Sequence, residues 1–331
     1  MKSSHSLTAE NDISVRRAIQ TSLSVSTRRA YGAAWRRFAA YCDQLGLDPL
    51  AATPDDVARF IVRMASIPRS PRATTKKGKP LALGSIRILV AAINRRYRDE
   101  SRPSPANDPQ VASVLRGLGQ LLPTQPRQVR ALREFDLHRM LKYCDDLARQ
   151  RPYRTRAARD AAVLAIGFAG ALRRSEICGL RVADIDFMEP HGALVHIRRS
   201  KTDQTGEGQT VAIPDGDLIQ PVKRMRAWLD VSGITSGPLL QTLRRGGAIR
   251  GRKMDPSDIA RIVKRYAEAV GLDPSEYSGH SLRAGFVTSA AIHRARLDKI
   301  MEVTRHTSPR TVLRYIRQAN AFEDHAGAAF L

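Results

Sequence analysis

Cysteine is scarce in this chain: three among 331 residues, far apart at Cys42, Cys144 and Cys178. An odd number with no CxxC pair and no partnering histidine argues against a disulfide framework and against a zinc site. Long apolar runs are missing as well. No stretch approaches the roughly 20 residues of a membrane span, and the opening MKSSHSLTAENDIS has no signal-peptide core. The expectation is a cytoplasmic protein with no membrane attachment. Acidic residues are outnumbered, 32 Asp/Glu against 55 Lys/Arg, which leaves a formal net charge of +23.

What is present points to a polyanion. The 42% hydrophobic content suffices for two ordinary cores, which excludes a disordered or fibrous chain. The positive excess is shared: 20 Lys/Arg against 9 Asp/Glu up to residue 125, and 35 against 23 beyond it. A single basic tail would read as an accessory arm. Two basic halves read as two domains along one polyanion, and double-stranded DNA is the expected partner.

The pattern of residues 1–122 predicts a small helical domain behind a short N-terminal tail. Ser26 is placed to cap a helix in which Tyr31, Trp35, Phe38 and Cys42 recur at helical spacing, with Gly46 to end it. TPDDVARFIVRMAS has a threonine cap at Thr53, then proline and acids in its first turn. LGSIRILVAAINRRYRDE and DPQVASVLRGLGQLL complete a set of four. Between the second and third, IPRSPRATTKKGKP holds five cations and three prolines, a solvated loop or a phosphate-contacting one. Residues 123–132 read as a linker.

Residues 133–331 predict a second domain of mixed type, helices with a small β-hairpin formed by LVHIR and TVAIP, so the fold class is α+β with helices dominant. Several of its polar side chains stand at breaks between elements. Arg173 is in GALRRSEICGL, Lys201 in the hairpin turn RRSKTDQTG, His280 and Arg283 in SGHSLRAGF, and Tyr315 comes nine residues after His306 in RHTSPRTVLRYIRQ. Each alone has an ordinary structural explanation. Asp184 and Asp186 in RVADIDF read as turn or helix-end residues, since two carboxylates without a third make a poor metal site.

Taken in order, these segments resemble the tyrosine recombinases, the family of phage integrases and of Cre-type and Xer-type enzymes, over nearly all of residues 133–320. One departure is Gly170-Ala171, where the family often has Thr-Gly; it bears on the loop backbone rather than on the arginine. The resemblance implies a helical core-binding domain followed by a catalytic domain that ends in a protomer-contact segment. It also implies a site-specific recombinase that works through a 3′-phosphotyrosine, as a homo-tetramer on two DNA sites and a monomer or dimer when free. Tyr315 would be the nucleophile. Arg173 and Arg283 would hold the non-bridging oxygens, with a planar fork suited to phosphate. Lys201 would protonate the leaving 5′ oxygen, since Arg198 and Arg199 hold their protons too tightly. His280 and His306 would serve proton transfer and phosphate binding. Glu176 either orients its neighbours, as in the family, or meets the dipole of its helix. No cofactor and no metal are implied. A type IB topoisomerase uses a similar set, and a DNA-binding regulator without catalysis is the remaining alternative.

Overall fold

The computed structural model describes residues 23–66, 81–122, 129–198 and 208–319. The chain divides into two compact units, Met1–Gln128 and Val129–Leu331. It is mainly helical with small antiparallel sheets.

In the first unit the helical spacings become four helices: α1 (Val25–Asp43), α2 (Pro54–Ser66), α3 (Leu83–Asp99) and α4 (Pro109–Leu121). The aromatic period of α1 turns Phe38 and Cys42 fully inward. Phe38 meets the Phe60 ring edge-on at 5.1 Å, and Tyr41 lies 5.2 Å from the same ring. Arg28, Arg29, Arg36 and Arg37 are left on the exposed side of α1. The cap of α1 is Ser24 rather than Ser26: its hydroxyl accepts from the Thr27 amide at 3.1 Å. The helix ends at Asp43, and Gly46, with φ of +69°, sits in the turn beyond it. Thr53 and Asp56 cap α2 reciprocally, each side chain accepting the other's amide. The cationic loop of residues 67–80 lies outside the described residues.

The second unit is built around α6 (Arg154–Ala169), whose alanine-rich sequence is buried on nearly every side from Ala157 to Phe168. Small side chains let α5 (Glu134–Ala148) and α8 (Pro221–Ser232) pack closely against it. After α6 come α7 (Arg174–Gly179) and a three-stranded antiparallel sheet, β1 (Ile185–Met188), β2 (Gly192–Ile197) and β3 (Gln209–Ile213), in that order. Val195 pairs with Val211 and turns into the core, while Asp186, His196 and Thr210 face outward and bond one another. β1 adds a strand that the sequence pattern did not suggest, and Asp186 belongs to it; Asp184 ends the single 3-10 turn before it. A separate hairpin, β4 (Gln241–Leu243) with β5 (Ile249–Lys253), was likewise too short and polar to read.

Four helices close the described chain: α9 (Pro256–Ala269), α10 (Ser281–Ile292), α11 (Leu297–Thr304) and α12 (Pro309–Ala319). A Cβ at Gly285 of α10 would run into the Leu132 carbonyl, so this glycine allows the close approach in which the Leu132 amide donates to Ser281 at 2.9 Å. That contact fixes the start of α10, where His280 and Arg283 reside.

Candidate active site

The first element of the site is the turn between α6 and α7. Gly170 closes α6, Ala171 takes a left-handed backbone (φ +45°), Leu172 is buried, and Arg173 is the N-cap of α7. A left-handed alanine is unusual, and here it turns the Ala171 carbonyl toward Arg283, whose Nη1 donates to it at 2.7 Å. The departure from glycine at this position therefore keeps the turn but with a strained residue in it.

Glu176 lies one helical turn past Arg173, with its side chain only 1% exposed. Its carboxylate accepts the Arg173 amide at 2.7 Å and the Arg173 Nη1 at 2.8 Å. It thus caps the helix and holds the guanidinium at once. Burial alone would raise its pKa, but Arg305 and the bonds from Arg173 outweigh that, and the carboxyl is held below its ordinary range.

Arg283 is buried on the first turn of α10. Besides Ala171 it donates through Nη2 to the Thr304 carbonyl and to His306 Nε2, the latter at 3.1 Å. Burial, then the charges of Arg173 and Arg305, pull its pKa down to about 9, which leaves it protonated at neutral pH. Crowded guanidiniums of this kind are a poor arrangement for an isolated protein and a good one for a protein awaiting an anion.

The bonds of His306 define its tautomer. A guanidinium can only donate, so Nε2 accepts from Arg283 and the ring proton is on Nδ1. Nδ1 then donates to Thr304 Oγ1 at 2.8 Å, and that hydroxyl passes its own hydrogen to the Ile300 carbonyl at 2.7 Å. Burial, followed by Arg283 and Arg173, pushes the His306 pKa to about 4.

Tyr315 projects from α12, where Val312, Val287 of α10 and Ile300 of α11 form a small apolar cluster against which its ring packs. Its hydroxyl lies 3.0 Å from His280 Nε2. His280 stands at the N-cap position of the same α10 that carries Arg283. Desolvation, then the charges of Arg283, Arg174, Arg173 and Arg314, hold its pKa below the ordinary imidazole value, which favours the neutral form that can accept a proton.

The structure therefore bonds Arg173 to Glu176 and Arg283 to His306, brings the two arginines close enough for their charges to interact, and pairs His280 with Tyr315. Lys201 lies outside the described residues, as does Arg199. Arg198 is engaged by Asp184, a buried carboxylate. Among the described residues no three His, Cys, Asp or Glu side chains are grouped to hold a metal ion, and no helix is long and apolar enough to cross a membrane. The residue that sequence reasoning passed over is Arg305, buried at the end of α11 and bonded to Glu176 at 2.7 Å. Nothing in the string VTRHTS marks it, since burial is a property of the packed helices.

A family model described as Phage integrase family matches residues 130–321. An integrase/recombinase xerD homolog of Selenomonas ruminantium is 30% identical over 316 residues, which cover 95% of this chain and 88% of that protein. Recombinase cre of Escherichia phage P1 is 25% identical over 309 residues, 86% of this chain and 82% of that one. Among solved structures, the fold is similar to that of the Tn1549 transposon integrase in complex with transposon right end DNA, with a TM-score of 0.56 at 17% identity over 88% of this chain and 89% of that one. It is similar also to a lambda integrase dimer bound to a COC′ core site, with a TM-score of 0.56 at 14% identity over 89% of each chain.

Proposed function

The chain belongs to the phage integrase family, the tyrosine recombinases, and on that premise we propose that Tyr315 is the nucleophile with which it exchanges DNA strands. It is a site-specific recombinase, an enzyme that breaks and rejoins DNA. The observation that carries the assignment of the nucleophile is the 3.0 Å contact between Tyr315 and His280.

In the proposed reaction the Tyr315 hydroxyl gives its proton to neutral His280 Nε2 and its oxygen attacks the scissile phosphorus. The bond from phosphorus to the 5′ oxygen breaks, and that oxygen takes a proton from Lys201. The strand is held as a 3′-phosphotyrosine, so the bond energy is kept for rejoining rather than lost to water. Negative charge gathers on the non-bridging oxygens, where the guanidiniums of Arg173 and Arg283 stabilise it more than in the ground state. His306 lies against Arg283, and by accepting from its Nη2 it helps to hold that guanidinium in place.

The residues 1–122 serve as a core-binding domain, residues 123–132 as a linker, and residues 133–331 as the catalytic domain. The exposed arginines of α1 suit contact with the phosphate backbone. Recombination of two sites calls for a homo-tetramer on the DNA, its protomers acting in the cytoplasm, where the DNA is.

The test uses a duplex nicked close to the exchange point, so that the cleaved fragment diffuses away and covalent protein accumulates. Wild-type protein should be trapped, and Tyr315→Phe should bind the duplex as before and give no adduct. An adduct formed by Tyr315→Phe would remove Tyr315 from the role. A protein that relaxes a supercoiled plasmid lacking any cognate site, with many turnovers, would instead favour the topoisomerase reading.

A further inference from the structure

We infer that Arg305 is a positioning residue for the strand-transfer site, acting through Glu176 on Arg173; the inference rests on the role proposed above for Arg173. Arg305 follows the last residue of α11 in a left-handed backbone, φ +56° and ψ +44°. That conformation is costly for a side chain with a Cβ. Its effect is to turn the guanidinium inward, where its side chain is only 4% exposed.

Three segments are tied there. Nη2 donates to Glu176 Oε2 at 2.7 Å, and Nη1 donates to the Val303 carbonyl at 2.9 Å and to the Gly170 carbonyl at 3.3 Å. Nε is buried with no partner among the described residues. A buried guanidinium with an unpaired N–H is expensive to keep, and its depth prevents it from reaching a DNA phosphate. Its work is therefore done through its partners.

The partner that matters is Glu176. Oε1 of that carboxylate accepts Arg173 Nη1, and Oε2 accepts both the Arg173 amide and Arg305 Nη2. With donors on both sides, the carboxylate is held by α11 from behind and presents a fixed edge to Arg173 in front. Without Arg305, Glu176 would lie buried with Arg173 as its one remaining ion-pair partner among the described residues, and Arg173 would be drawn toward neutralising it rather than left available for a phosphate. Arg173, with its side chain 20% exposed, is the member of this chain of contacts that solvent and substrate can reach.

A conservative change tests this. Arg305→Lys keeps the positive charge and removes the fork that spans Glu176, Gly170 and Val303. It should fold and bind the duplex, yet accumulate covalent adduct at least roughly tenfold more slowly, a loss of geometry in the sense of misplaced catalytic groups. The decisive readout is its combination with Arg173→Ala. If Arg305 works through Arg173, the double variant should cleave no more slowly than Arg173→Ala alone. Rates that multiply, or wild-type cleavage by Arg305→Lys, would overturn the inference while leaving the role of Arg173 intact. Wild-type cleavage by Arg173→Ala would overturn both. Arg305→Met, with the charge gone, should show the same lack of additivity if it folds, and the Lys variant carries the test if it does not.

Discussion

The Tyr315 hydroxyl and His280 Nε2 stand 3.0 Å apart across 35 residues of sequence. The imidazole is held neutral by its surroundings, chiefly desolvation and then the charge of Arg283. A neutral imidazole and a phenol within hydrogen-bond reach suit the roles of base and nucleophile proposed for them, with no rearrangement needed to begin the displacement.

The pH dependence of cleavage follows from that pair. Because the His280 pKa lies below the ordinary imidazole value of roughly 6.5, the base is already free at neutral pH. The single-turnover cleavage rate should climb with pH only on the acid side and be level by about pH 7. His280→Ala should slow cleavage by about a hundredfold and abolish that acid limb. A wild-type rate that kept rising tenfold per pH unit between pH 7 and pH 9 would mean that free tyrosinate, and not His280, sets the reaction.

The two guanidiniums proposed to hold the phosphate make a second case. Arg173→Ala and Arg283→Ala should each lower cleavage about 100- to 1,000-fold, the loss expected for one donor to a developing oxyanion. Lysine at either position should recover little of it, for want of a planar fork. The two variants should differ in stability. Arg283→Ala leaves the buried carbonyls of Ala171 and Thr304 without their donor and should cost about 1–3 kcal/mol in a denaturant titration. Alanine variants that cleave like wild type would remove the arginines from the mechanism.

Lys201 invites a chemical test. If it supplies the proton for the leaving 5′ oxygen, Lys201→Ala should be slow on ordinary DNA and regain most of its rate when that oxygen is replaced by sulfur, which departs as a thiolate. Arg173→Ala should gain far less from sulfur, since the task proposed for it is at the non-bridging oxygens. Equal rescue of the two would send the search for the acid elsewhere.

Acid stability tests His306. Its folded pKa, about 4, is below the roughly 6.5 of an unfolded histidine. As pH falls the unfolded chain takes up this proton first, so stability is lost between about pH 6.5 and about pH 4 and is unaffected by this group above that window. Carboxylates held low, such as Glu176, act mainly below roughly pH 4.5. The thermal midpoint of the DNA-free protein should thus decline from pH 6.5 to pH 4.5, and His306→Gln should flatten that decline. An unchanged slope in the variant would mean that His306 titrates normally.

Much of this molecule is written locally. The spacing of Phe38 and Cys42, the cap at Thr53 and the apolar stretch of α6 specify helices through contacts within a turn or two, and such contacts are visible in a linear string. The α+β class, the DNA partner and the order of candidate side chains from Arg173 to Tyr315 belong to the same category, since net charge and sequence order do not depend on packing. β1, the β4–β5 hairpin and α11 were less legible: each is short, and none has a full period of apolar residues to announce it. Which hydroxyl of Ser24 and Ser26 caps α1 depended on a backbone angle that either of two serines flanking Val25 could supply. What the tertiary structure alone decided are the relations between distant segments. His280 meets Tyr315 because α10, α11 and α12 share one apolar cluster, and the proton of His306 sits on Nδ1 because Arg283 arrives at Nε2. Arg305 reads as one more surface cation until α11 ends in a left-handed residue and the closing helices bury it against Glu176. A side chain's charge belongs to its sequence, but what it can do with that charge depends on which partners and how much water the fold leaves around it.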